Sequence, residues 1–188
     1  MAVTLYRKKK VPGNLSCKIA FPETWYITMI ILSICPVCQS QVKHRDYKLR
    51  IMKMEGGEKH FIYMERLQCT NKSCNRLHNA LPDRLVPYKH YAAEIISGVL
   101  DEIITTQDLE TEDYPCEATM LRWKHWLMLN YFRINGYLKS IGYRFLGFSE
   151  ELLNTRLSLL EYLRLSNDRW LEAILRMIYN SGGVLEPS

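Results

Sequence analysis

Cys35-Pro-Val-Cys38 and Cys69-Thr-Asn-Lys-Ser-Cys74 put four thiols in two short clusters separated by 30 residues. Thiolates are the soft ligands that a tetrahedral zinc ion takes, and two cysteines a few residues apart let one tight turn present a pair of them. The first spacing is the commoner; the second sits at the wide end of the usual range. The expected chemistry is structural: Zn2+ held by Cys35, Cys38, Cys69 and Cys74, with no position left for a catalytic water. Disulfides need an oxidising compartment, and the basic run 7–10 is followed by Val-Pro-Gly-Asn, not by the apolar core of a signal peptide. A redox pair needs the first cluster alone within a βαβ pattern, which leaves Cys69 and Cys74 unexplained. Cys17 and Cys116 have no spaced partner and read as ordinary apolar positions. His44, His60 and His78 are each able to replace a ligand, which four cysteines make unnecessary.

Two tight turns must be held together by the elements around them. Residues 3–6 and 18–21 read as short strands about Pro12-Gly13-Asn14, and 25–32, rich in aromatic and β-branched residues, as a strand entering the first cluster. Beyond Cys38, 47–54 and 59–67 are extended stretches joined by Glu55-Gly56-Gly57-Glu58, whose glycines supply the positive φ of a tight hairpin. Strand, cluster, hairpin, cluster is the order of a zinc ribbon, a unit with too little core to stay folded without its metal.

Leu81-Pro82-Asp83 and Val86-Pro87 then break the β pattern as a hinge. From Tyr88 or Tyr91 to about Thr105, Ile95, Ile96, Val99, Leu100, Ile103 and Ile104 follow helical spacing. The polar, acidic stretch 105–113 reads as a linker, and Asp113-Tyr114-Pro115 opens a helix running to about Phe132 with Met120, Trp123, Leu127 and Tyr131 on its apolar stripe. Trp123 and Trp126 read as core. Ser149 is the expected cap of a helix over 150–165 and Asn167 of one over 168–179, ended by Gly182-Gly183. Glu150, Glu151, Glu161 and Glu172 read as solvated helix-face charges. The expected fold class is α+β: an N-terminal zinc-ribbon β domain over 1–87, a helix-turn-helix segment over 88–135 and a C-terminal helical hairpin over 136–188.

Charge is unevenly spread. Residues 1–90 hold 16 Lys and Arg against 6 Asp and Glu, whereas 91–188 hold 9 against 14. A basic ribbon, with Lys48 and Arg50 riding on the hairpin, points to a polyanionic partner, nucleic acid first. Between Ala118 and Phe148 there are five basic residues and no acid, which suits either a recognition helix in a major groove or an amphipathic core helix with a basic outer face. The longest apolar run, 25–34, is about ten residues and too short to span a bilayer, so a cytoplasmic location is expected.

The motifs at 35–38, 67–74, Asn79-Ala-Leu-Pro-Asp-x-Leu-x-Pro-Tyr-Lys-x-Tyr91 and Cys116-Glu-Ala-Thr-Met-Leu-Arg-Trp123 resemble a bacterial zinc-ribbon family similar to the N-terminal, DNA-binding part of insertion-sequence transposases. The resemblance covers roughly residues 30–130. It implies a helix-turn-helix after the ribbon, with Thr119, Arg122 and Lys124 as contacts to double-stranded DNA and Trp123 packing the motif. Cys116 and Glu117 depart from the small polar residues usual there, and Glu117 repels phosphate. A transposase also needs a nuclease domain of well over a hundred residues with acids for two metal ions; about 55 helical residues follow the second helix, so no enzyme is expected. No glycine-rich phosphate loop, Gly-x-Ser-x-Gly or His-Glu-x-x-His is present. Two functions follow: a DNA-binding regulator or targeting subunit of a mobile element, or a protein-interaction adaptor. The adaptor would use the C-terminal helices, through Leu157 or Ile174, to hold a second copy or a transposition-protein partner.

Overall fold

The computed structural model describes residues 3–7, 25–30, 34–108, 115–154 and 156–187. The expected strand at 18–21, its preceding turn and Cys17 lie outside them. The protein is a mixed α+β structure, with strands β1 (Val3–Arg7), β2 (Trp25–Ile30), β3 (Val42–Lys53), β4 (Lys59–Cys69) and β5 (Leu77–Asn79) in one sheet ordered β1-β2-β4-β3. β5 pairs with β4 over 66–68, beyond the parallel β2 pairing at 62–64.

The β3–β4 hairpin is the ribbon's spine, in register from Val42↔Cys69 to Lys53↔Lys59 and interrupted by a bulge between His44 and Asp46. Its turn is the Gly56-Gly57 pair, both left-handed at φ 75 and 72, where an L side chain would be strained. Alternation puts Met52, Ile62 and Met64 on the face turned to the helices, all buried.

Five α-helices follow among the described residues: α1 (Ala93–Leu100), α2 (Glu117–Phe145), α3 (Glu150–Leu153), α4 (Leu159–Ser166) and α5 (Trp170–Asn180). α1 stops earlier than its apolar spacing suggests. Glu102 turns left-handed at φ 61, and the amides of Ile103 and Ile104 fold back onto the Gly98 carbonyl. Capping of this kind satisfies carbonyls that the helix end leaves open.

α2 is longer than expected and runs unbroken through Asn135 and Gly136. Its buried stripe is Met120, Trp123, Trp126, Asn130, Ile134 and Leu138; Leu127 and Tyr131 lie on the flank, half-buried. The single helix expected over 150–165 is two. Ser149 caps α3 as expected, accepting from the Leu152 amide at 3.2 Å. A second cap, Ser158, starts α4 because Asn135 on α2 accepts there from the Ser158 hydroxyl and the Leu160 amide at 3.2 and 3.1 Å. Asn167 accepts from the Arg169 amide one turn ahead of α5.

One apolar core spans both halves, taking Met52 and Ile62 from the sheet, Leu85 and Val86 from the connection, and the inner faces of α1, α2, α4 and α5. The proline-rich connection is packed, not a hinge: Leu85 and Val86 are buried, and backbone bonds Lys53 N to His90 O and Ala92 N to Lys53 O stitch it to the end of β3.

Candidate metal centre

Each cysteine pair is presented by a turn that ends in a left-handed residue. In the first, the Gln39 amide donates to the Cys35 carbonyl at 2.9 Å, the Cys35 amide donates to the Ser40 carbonyl, and Gln39 has φ 61. In the second, the Cys74 and Asn75 amides reach back to the Asn71 carbonyl, and Asn75 has φ 46. The wider spacing of this pair is absorbed at Asn71, whose side chain accepts from the Ser73 amide at 2.9 Å. The two turns are tied by Thr70, whose amide and hydroxyl both donate to the Gln41 carbonyl.

The result is a tetrad: Cys35, Cys38, Cys69 and Cys74 lie with their sulfurs all within 4.8 Å of one another. Cys38 Sγ is 3.4 Å from Cys69 Sγ and Cys35 Sγ is 3.9 Å from Cys74 Sγ. Four sulfurs about 2.3 Å from a common ion sit about 3.8 Å apart at the corners of a tetrahedron, so the set fits a four-thiolate metal site. Cys35 and Cys69 are buried and the other two half-buried.

The thiols are unequal. Hydrogen bonds from Ser40 hold Cys38 down at about 6, while burial pushes Cys69 up to about 12. Of the three histidines weighed as ligands, only His78 stands at the site, its Nε2 3.3 Å from Cys35 Sγ. Burial, then the charge of Arg76, lowers its pKa, which favours the neutral ring that can donate to a sulfur. His44 pairs with Glu65 and His60 with Glu58.

Of the remaining sequence-predicted site residues, Thr119, Arg122, Lys124 and Arg50 each make a bond within the chain. A helix-turn-helix joins its helices by a turn of about three or four residues, whereas the whole stretch 101–116 separates α1 from α2. Arg122 is folded onto its own helix, donating to the Ala118 carbonyl at 3.1 Å and to Thr119 Oγ1 at 2.9 Å. Lys124 is paired with Glu102 at 2.8 Å. Arg50 is half-buried and donates to the Lys89 carbonyl at 3.0 Å; Lys48 is exposed. Cys116 is exposed at the start of α2, its thiol shifted down by a hydrogen bond with Thr119, so it is not an apolar core position.

Glu172 also departs from its sequence reading. Its side chain is buried inside the inner face of α5. The signal available in sequence was its place on one stripe with Leu175 and Tyr179, three and seven residues on.

Residues 35–123 match a family model described as a domain of unknown function (DUF6431). No curated protein and no solved structure matches the chain. The matched stretch begins on the first cysteine of the tetrad, contains all four, and ends at Trp123 within α2. Among the described residues, no helix is long and apolar enough to cross a membrane.

Proposed function

We propose that the tetrad holds a structural zinc ion and that the protein is a non-catalytic, cytoplasmic DNA-binding protein which grips the phosphate backbone through its ribbon. The observation that supports this reading is the placement of Lys43 and Arg45 on β3 and Lys72 and Arg76 around the second cysteine turn, all four exposed. A four-thiolate zinc site carries a net double negative charge, so part of the ribbon's positive charge offsets the metal centre. The rest is available to phosphates. A role in a mobile element, as regulator or targeting subunit, rests on the resemblance of the motifs alone.

Fluorescence anisotropy of zinc-loaded protein with random duplex DNA across a salt series tests the reading. Binding should weaken steeply with salt, and removing Lys43, Arg45, Lys72 or Arg76 should flatten the slope by about 0.9 for each phosphate no longer neutralised. Arg122→Ala and Lys124→Ala should leave it unchanged. Absence of binding at low salt would end the DNA reading.

A second reading, the interaction adaptor, is favoured by the outer face of α2, where Leu121, Met128 and Phe132 are exposed, Phe132 to 86%. Of the two C-terminal side chains expected to bind such a partner, Leu157 is exposed, whereas Ile174 is fully buried and unable to reach one. Complex formation that resists salt and is abolished in Phe132→Ser would support the adaptor.

A further inference from the structure

A cavity of about 420 Å3 lies where the ribbon meets α5, within the size range of small-molecule sites. One wall is a single stripe of α5, in which Glu172, Leu175, Arg176 and Tyr179 recur at helical spacing. β3 contributes Lys48 and Arg50 to the same cavity, and β4 contributes Met64.

Its polar groups are incompletely paired. Glu172 is 4% exposed; its Oε1 accepts from Arg169 Nε at 3.2 Å, but its Oε2 is buried with no partner among the described residues. Arg50 Nη2 donates to the Lys89 carbonyl, while Arg50 Nε is likewise buried without a partner among those residues. Arg176 differs, being satisfied by Asp83 at 2.8 Å. A buried carboxylate oxygen left open loses its hydration without recompense, and a group serving only the core would be expected to find a partner in it. The open positions are complementary: an acceptor on the helix wall, a donor and a second cation on the sheet wall, and apolar surface at Leu175 and Met64.

We propose that this cavity binds a small organic anion that also carries an N–H donor, with the anionic group at Lys48 and Arg50 and the N–H on Glu172 Oε2. Two sources have this chemistry, a nucleoside monophosphate and a free amino acid. The cavity adjoins the cysteine tetrad, with Pro36 and His78 in its lining, but takes none of the four cysteines and none of Lys43, Arg45, Lys72 and Arg76.

Isothermal titration of the full, zinc-supplied chain separates the sources: AMP, GMP and CMP form one arm, and L-aspartate and L-glutamine the other. Inorganic phosphate controls for charge alone. Saturable binding with a Kd below about 1 mM is expected in one arm and not for phosphate. That binding should weaken at least tenfold in Glu172→Gln, which keeps the shape but turns an acceptor towards a donor, and in Lys48→Ala, an exposed position whose replacement leaves the fold intact. Binding by neither arm, or binding indifferent to both substitutions, overturns the proposal.

Discussion

Lys89 Nζ lies 4.6 Å above the centre of the Trp126 ring, in a side-chain environment that is almost closed to solvent. The indole returns part of what the ammonium loses in hydration, but not all. Burial, helped by the nearby charge of Arg122, brings the Lys89 pKa from 10.5 to about 8. Below the folded value the lysine is charged in both states and the full burial penalty is present. Between about 8 and 10.5 the unfolded chain still holds a proton that the folded one has released, so stability rises with pH across that window. Lys89→Met keeps the stem and removes the charge. It should stabilise the protein at pH 7 by about 1–3 kcal/mol and abolish the rise, as read from thermal melts at about pH 7 and pH 9.5. A wild-type protein that melts no higher at the alkaline pH would contradict this account.

Removing the metal should unfold the ribbon before the helices. The hairpin's inner face reaches the common core through Met52 and Ile62, whereas none of the four cysteines belongs to that core. Cys69→Ser, at one of the two buried corners of the tetrad, should abolish stoichiometric zinc retention in a chelator-competition assay. Strand signal should fall while helical circular dichroism persists. Full zinc retention in this variant would refute the four-thiolate site.

Gly182 sits just past the end of α5 at φ 81, and a Cβ there would stand 2.7 Å from the Pro36 carbonyl oxygen in the first cysteine turn. Gly182→Val therefore meets both a strained backbone and a backbone clash. It should destabilise the fold by about 2–4 kcal/mol and weaken zinc retention as well, although it lies 144 residues from Cys38 in sequence. Unchanged zinc affinity would mean that the helical half and the cysteine turn are not energetically linked.

Asp101, at the end of α1, accepts from Arg164 Nε on one oxygen and from the Trp170 indole on the other, each at 2.8 Å. It thus joins α1 to α4 and α5. Asp101→Asn keeps the size but loses the charge opposite Arg164, and should cost about 2–3 kcal/mol, or roughly 4–12 °C in Tm for a chain of this length. Asp101→Ala should cost more, because it leaves the buried indole N–H unpaired. Equal melting temperatures for the two variants would argue against a specific role of the carboxylate.

The ribbon was legible because its signals are local. Paired cysteines, a Gly-Gly turn and alternating strands each act over a few residues, and the tetrad forms at the four predicted positions. The helices were legible as apolar stripes but not in extent. Gly136 and Gly142 gave no stop to α2 because distant groups hold it: Asn130 bonds the Glu186 backbone and Asn135 the head of α4. Glu172 reads as a solvated charge because its residue type outweighs the one local signal, its stripe with Leu175 and Tyr179, and the sheet wall across the cavity comes from residues far away in sequence. Thr119 and Arg122 have the residue types of groove contacts, and the hydrogen bond between their exposed side chains is a detail that residue type alone does not announce.

α2 begins inside the stretch that matches the family and continues to Phe145, well past it. A peptide ending at Trp123 would keep only about two turns of this helix, short of the length of about 12–15 residues that an isolated helix needs in water. The Trp123 ring, edge-on to Tyr91 at 5.2 Å, would then have a partner but no wall behind it. The matched stretch and the folding unit are therefore different objects in this protein: cutting at the edge of the match would cut through a helix that the core needs whole.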